Sequence, residues 1–442
     1  MKNINDHLKD LTKDIKQGLT EIKDNIPTFK QDPNKEIKVY KEKKPITKFL
    51  DKKRIIIFGL MFIMMIILVI VTVTFITNVN VHTIISTISK IQNHTNAIIA
   101  GWILLLILAG ICRYIWQIES IRMRLKHYLV NTSIWEWVNF GIIVLFINTI
   151  TIFALGSDPY KLWWMTKRGL RIHEASAILL SSGWVIQLTQ MIISYPSLGY
   201  LIFLYFYNPD FVHTYDTNVS MCLVCVGYCN DIMVFCVLTL LGFNLHIQLL
   251  IAKAFNWLRK KLGFSYKSKE VLHLEFIDKG KFQKVFIKEM KSFEADFYIA
   301  FWTIIALLLY YFSTFFCLEL LLPYFPNERV HILATLFWST YNFANVGTVA
   351  NNFIPIPGSE GTIQFVLISL FHSSISGIGL PTNVNLTTTI KQTVFLWRVF
   401  NYYLIVIFGC FYCIIRYSEI WAIKYYKKRQ LIKNGWFQMK NS

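Results

Sequence analysis

The chain has 442 residues, 54% hydrophobic and only 16% charged, with a formal net charge of +19. Soluble domains carry roughly 25% charged residues, so composition excludes an ordinary soluble globular protein. The positive charge gathers in the N-terminal arm, in 253–296 and in the C-terminal tail, flanking apolar runs and forming no recognisable nucleic-acid module, so no nucleic-acid partner is expected.

Residues 1–54 form a charged arm. Ile4, Leu8, Leu11, Ile15, Leu19, Ile22 and Ile26 recur at steps of three and four, the spacing of one helix face. Such a stripe suits a short coiled coil with a second copy of the chain, a helix lying on the membrane surface, or a solvated helix without a partner. Pro27 ends it, and a basic linker leads to the first apolar run. No cleavable leader precedes that run, so the first span itself is expected to direct insertion.

Nine apolar segments follow, at 55–77, 96–116, 134–155, 176–206, 220–252, 297–322, 331–353, 362–380 and 394–417. A bilayer core of roughly 30 Å needs about 20 apolar residues per helical span. Lys and Arg concentrate on cytoplasmic loops. The arm, the 117–133 loop with Arg122, Arg124 and Lys126, the segment 253–296 and the tail with Lys424, Lys427, Lys428, Arg429 and Lys433 are therefore expected inside. The 207–219 loop, with Asp210 and Asp216 and no Lys or Arg, is expected outside. Strict alternation fails once: two full spans between 117–133 and 207–219 would return the chain to the wrong side. The stretch between them also carries Lys161, Lys167, Arg168 and Arg171. A re-entrant 134–155 removes both conflicts; the alternative is nine full spans with one loop that violates the charge rule. The expectation is an all-α integral membrane protein with about eight transmembrane helices plus re-entrant or broken segments. Residues 55–417 form its membrane domain and 418–442 a basic tail, with both termini on the cytoplasmic side of the cell membrane.

Eight cysteines occur, among them Cys222, Cys225 and Cys229, and a C-x-x-C at Cys410 and Cys413. They lie inside apolar runs, where zinc knuckles do not form, and are read as small packing residues of membrane helices. No metal or cofactor is expected, and no phosphate-binding G-x-x-x-x-G-K-[ST] loop is present.

Ionisable residues inside apolar segments are costly and tend to be functional. Arg113, Glu136, Asp231, His246, Glu319 and Arg398 are the candidates. Arg113 and Glu319 are expected near the interface, where long side chains reach water. Two stretches break the helical pattern with Gly and Pro, ALGSDPYKLWWMTKRG at 154–169 and FIPIPGSEGTIQF at 353–365. Each would expose backbone groups and a helix N-terminus, which suits an anion such as a lipid phosphate. Paired broken segments in the two halves of a transporter point to its binding site.

Three stretches carry a resemblance: PIPGSEG at 355–361, GSDPYKLWWMTKRGLRIHEASAILL at 156–180, and LWRVFNYYLIVIFG at 396–409. Together, over roughly 55–417, they resemble the lysylphosphatidylglycerol synthase transmembrane family, a flippase-like domain. The chain departs from the family pattern at Ser359, where a Gly is usual, and at Gln364, about where an acid is usual, with Glu360 as the nearby carboxylate. The soluble aminoacyltransferase domain of large members is expected to be absent. The resemblance implies a membrane domain that moves a phospholipid or modified lipid between leaflets. Asp158, Pro159, Tyr160, Lys161, Pro357, Gly358, Glu360, Gly361, Gln364 and Arg398 would line the path. Lys161 and Arg398 would hold an anionic head group, and the carboxylates would balance them or carry a proton. The rival readings are a membrane-embedded lipid-modifying enzyme and a membrane assembly protein; neither H-E-x-x-H nor G-x-S-x-G supports the former.

Overall fold

The computed structural model describes residues 96–416 apart from 127, 129–131, 152–155, 262–279, 320, 322–328, 353, 355, 357–359 and 376–385, together with Ile63, Ile85 and Ser89. The charged arm and its apolar stripe, the tail, and Pro357 and Gly358 of the second break lie outside the described residues. Every described element is helical. In chain order they are α1 (Asn96–Leu125), α2 (Ile134–Ile150), α3 (Ser157–Lys167), α4 (Ile172–Tyr207), α5 (Tyr215–Phe243), α6 (Leu245–Lys261), α7 (Phe293–Glu319), α8 (Arg329–Ala350), α9 (Thr362–Ile375) and α10 (Leu386–Arg416).

Five of these, α1, α4, α5, α7 and α10, are long and apolar enough to cross a membrane. Their large apolar side chains point outward as well as inward, Leu104, Phe203, Met233, Phe301 and Phe408 being exposed. That is expected where the outer solvent is hydrocarbon. The expected segment 220–252 divides at Asn244. Its side-chain oxygen accepts from the amides of His246 (3.0 Å) and Ile247 (3.2 Å), capping α6 and ending α5.

One end of the bundle is tied together by Arg124, the last-turn cation of α1. It is fully buried and bonds Asp296 of α7, the Glu289 carbonyl (2.6 Å) and the Ser182 hydroxyl of α4 (3.2 Å). α4 and α7 therefore start where α1 ends. α7 runs back along α1, with Trp116 donating to Thr303 (2.9 Å) and Trp102 stacked on Phe316. α5 is antiparallel to α4, through Tyr205–Asn218 (2.7 Å) and Trp184–Thr239 (2.9 Å). The main apolar core lies between α4, α5, α7, α8, α9 and α10, around Tyr311, Phe343, Leu367, Phe371 and Trp397.

Two helical hairpins enter this bundle from opposite ends. In the first, α2 and α3 run antiparallel. Trp137 meets Trp164 (centroids 4.9 Å), and Arg168 pairs with Glu136 (3.2 Å), so the chain returns to the end from which it set out. α2 has 17 residues, about 25 Å at 1.5 Å per residue, short of the hydrocarbon core. The described backbone thus runs in along α2 and back along α3. In the second hairpin α8 and α9 are antiparallel, Phe343 against Phe371, and α9 ends where α5 begins, the Val212 amide donating to the Ser373 carbonyl (3.0 Å). α9 is described over 14 residues, about 21 Å, and forms one arm of this hairpin.

Candidate functional site

α10 is the element that both hairpins reach. Its middle is a π-helical turn, Val399–Tyr403. Such turns widen a helix locally and recur at functional sites. The first hairpin approaches through Phe146 and Ile150 at the end of α2, which pack on Tyr402 and Val406. The second approaches through Glu360, just before α9.

Glu360 is enclosed by donors. Arg398 binds one carboxylate oxygen; the Gln364 amide (2.6 Å) and the Tyr403 hydroxyl (2.6 Å) both donate to the other. Both charged side chains are essentially out of solvent, 4% exposed for Arg398 and 0% for Glu360. Gln364 also accepts from the Gly361 amide (2.8 Å). Gly361 sits at φ 93°, where an L side chain is strained. Gly361 thereby permits the turn at 360–361 that leads into α9. Gln364 locks that turn.

A second guanidinium stands beside this pair. Arg113 donates to the Asn401 carbonyl (2.9 Å) and lies over the Tyr310 ring (4.6 Å to the centroid). Among the described residues no carboxylate pairs with it. Arg398 lies over Tyr402 (4.3 Å), whose buried hydroxyl has no hydrogen-bond partner among the described residues. Asn401 and Trp397 both donate to Ser313 of α7, each at 2.9 Å. Arg113 thus stands beside Arg398, so that two guanidinia and one carboxylate gather near the middle of α1 and α10.

This corrects the expectation that Arg113 is interfacial. α1 continues to Leu125, well past the apolar run that ends at 116, so Arg113 falls near its centre. Glu319 closes α7 at its far end but is buried there rather than reaching water. Glu136 and His246 lie in the first turns of α2 and α6, Glu136 half-buried and His246 exposed. The reading of all the cysteines as packing residues is also corrected. Cys112 and Cys317 are buried, whereas Cys222, Cys225, Cys229 and Cys236 lie on an exposed face of α5. Apolar thiols are tolerated there because the surrounding medium is hydrocarbon. Among the described residues no group of three or more His, Cys, Asp or Glu could hold a metal.

The first break is organised differently. Asp158 opens α3, 58% exposed, and pairs with Lys161 one turn on (3.1 Å). Pro159 is exposed in the first turn, where its missing N–H costs nothing. Tyr160 is buried in the hairpin, its ring near Phe140 and Trp163. Of the expected residues, the structure gathers Glu360, Gly361, Gln364 and Arg398 into one cluster, while Asp158 and Lys161 form a separate local pair at the other tip. Sequence reasoning set Arg113 aside as interfacial and did not single out Tyr310, Asn401, Tyr402 or Tyr403. Only the π turn's run of polar and aromatic residues, NYY, hinted at them.

No known family profile matches the chain, and no solved structure is similar to it. Two curated proteins are similar over most of its length. One is the "Uncharacterized protein MG306" of Mycoplasma genitalium, 28% identical over 377 residues, covering 85% of this chain and 93% of that protein. The other is the "Uncharacterized protein MG306 homolog" of Mycoplasma pneumoniae, 29% identical over 362 residues, covering 80% of this chain and 87% of that protein.

Proposed function

We propose that this protein moves an anionic phospholipid, or a lipid modified at its head group, between the leaflets of the cell membrane, and that the head group passes the junction of Arg113, Glu360 and Arg398. The observation that carries the reading is the charge count there: two guanidinia against one carboxylate, away from bulk water. An unbalanced cation in a low-dielectric interior is expensive, and a phosphate offers two oxygens that the planar guanidinium fork can bind bidentately. The unpartnered Tyr402 hydroxyl adds a donor. In this reading the Asp158–Lys161 pair at the tip of the first hairpin passes the head group inward, because charged side chains at that depth face a polar cavity rather than lipid tails. Gly361 and Gln364 shape the second tip, with Pro357 and Gly358 assigned to the same path. The Arg124 end, which carries most of the Lys and Arg, is the cytoplasmic side by the positive-inside rule. The family resemblance of the three motifs agrees with this reading.

The test is reconstitution in vesicles with a head-group-labelled anionic phospholipid and a labelled zwitterionic one. Faster equilibration of the anionic label between leaflets, lost in Arg113→Gln, supports the reading. Failure to change the sidedness of any labelled phospholipid overturns it, and so does the appearance of a new lipid species, which would mark an enzyme.

A further inference from the structure

A second buried charge lies on the other side of the same break. Asp231 is near the middle of α5, about 24 Å by helical rise from Tyr215 and about 18 Å from Phe243. It is 2% exposed. One carboxyl oxygen accepts from the Asn352 side-chain amide (2.8 Å), in the turn that ends α8, and the Gln187 amide lies against the carboxyl group. α5 approaches this turn as closely as a backbone can. A Cβ on Gly227 would lie 2.4 Å from the Val349 carbonyl oxygen, and Asn230 donates to the Asn352 carbonyl (3.2 Å). The break is therefore clamped twice, at Asn352 by Asp231 and at Glu360 by Arg398.

What faces Asp231 is polar but uncharged. The Gln187 amide and the Tyr195 hydroxyl come from α4, Tyr228 from α5 itself and Tyr311 from α7. Among the described residues no Arg, Lys or His faces it from α4, α5, α7, α8 or α9. A carboxylate held out of water without a cation beside it takes up a proton instead. A metal ion would need several oxygen ligands converging on it, whereas the bonded neighbour Asn352 presents an N–H.

We infer that Asp231 is a proton-binding site, and that its protonation state sets how α5 holds Asn352 in the turn that ends α8. With the proton bound, the neutral acid sits in the arrangement described above. Once water reaches it and the proton leaves, the carboxylate requires solvation or a stronger donor, and the hold on Asn352 must change. Proton release on one side would then be coupled to lipid movement. The coupling half of this inference rests on the lipid-transport reading; the proton site does not.

Two measurements on the full-length protein separate them. Infrared spectroscopy in vesicles at neutral pH, with no transport involved, should show a protonated-carboxyl band that is lost in Asp231→Asn. A spectrum identical in the two proteins overturns the site, and a circular-dichroism melt of the variant checks that it folds. A pH difference across the vesicle should then accelerate movement of labelled anionic lipid in the wild type but not in Asp231→Asn. Acceleration by a sodium gradient alone assigns the site to a metal cation and overturns the proton assignment. A lost infrared band with no lipid movement in either protein supports the proton site and overturns the lipid reading instead.

Discussion

The two hairpin tips reach the same stretch of α10, yet they are held there by different means. The second is fixed from two sides by groups far away in sequence: Arg398 on Glu360, and Asp231 on Asn352. The first carries its charges on itself, Lys161 on Asp158 one helical turn away, and packs on α10 through apolar side chains, with Tyr412 donating to Asn139 farther back along α2. Buried, cross-element bonds are costly to break singly, whereas a partly exposed local pair is worth little. The second tip therefore acts as a latch and the first as a polar lip.

Breaking the latch should have the largest effect. Glu360→Ala leaves the Arg398 guanidinium buried without its carboxylate, and thermal unfolding in detergent should show a loss of about 3–5 kcal/mol. Replacing both, Glu360→Met with Arg398→Leu, should recover most of that stability while abolishing lipid movement, because hydrophobic isosteres of buried pairs are often neutral. Arg113→Gln should cost about 1.5–3 kcal/mol, the range for a hydrogen bond to a charged group, and should remove lipid movement in a protein that still folds. Gly361→Ala places a side chain at a positive φ and should destabilise by about 1–2 kcal/mol in the same melt. Disturbing the lip should matter least to folding: Asp158→Asn should change stability by less than about 1 kcal/mol. A slower lipid-transfer rate in that variant, with its melt unchanged, would separate the lip's role in transport from any role in folding.

Much of this comparison was legible from residue order, and the reasons are physical. Membrane class follows from uncharged runs of more than 20 residues. The first hairpin followed from charge bookkeeping, since Lys161, Lys167, Arg168 and Arg171 could not lie opposite Arg122 and Arg124. The second break announced itself by Gly and Pro density, although the pairing of α8 with α9 as a hairpin did not, because an apolar run reads the same whether it crosses or turns back. Arg113 was hidden for a different reason. Its partner is the backbone carbonyl of Asn401, 288 residues away, and main-chain acceptors leave no mark on composition. The π turn likewise has no code of its own. Asp231 stood out as an ionisable group in an apolar run, but its pairing with Asn352 depends on Gly227 letting two backbones meet.

The central claim is that two hairpins entering from opposite ends converge on the π turn of α10. Paired cysteines at Ile150 and Tyr402, introduced into a protein whose eight native cysteines are replaced by serine, test it most directly. Efficient cross-linking by a short thiol reagent in native membranes, alongside a second efficient pair at Glu360 and Tyr403, is the predicted result. Failure of either pair to cross-link, while a control pair at Glu136 and Arg168 does so, would contradict it.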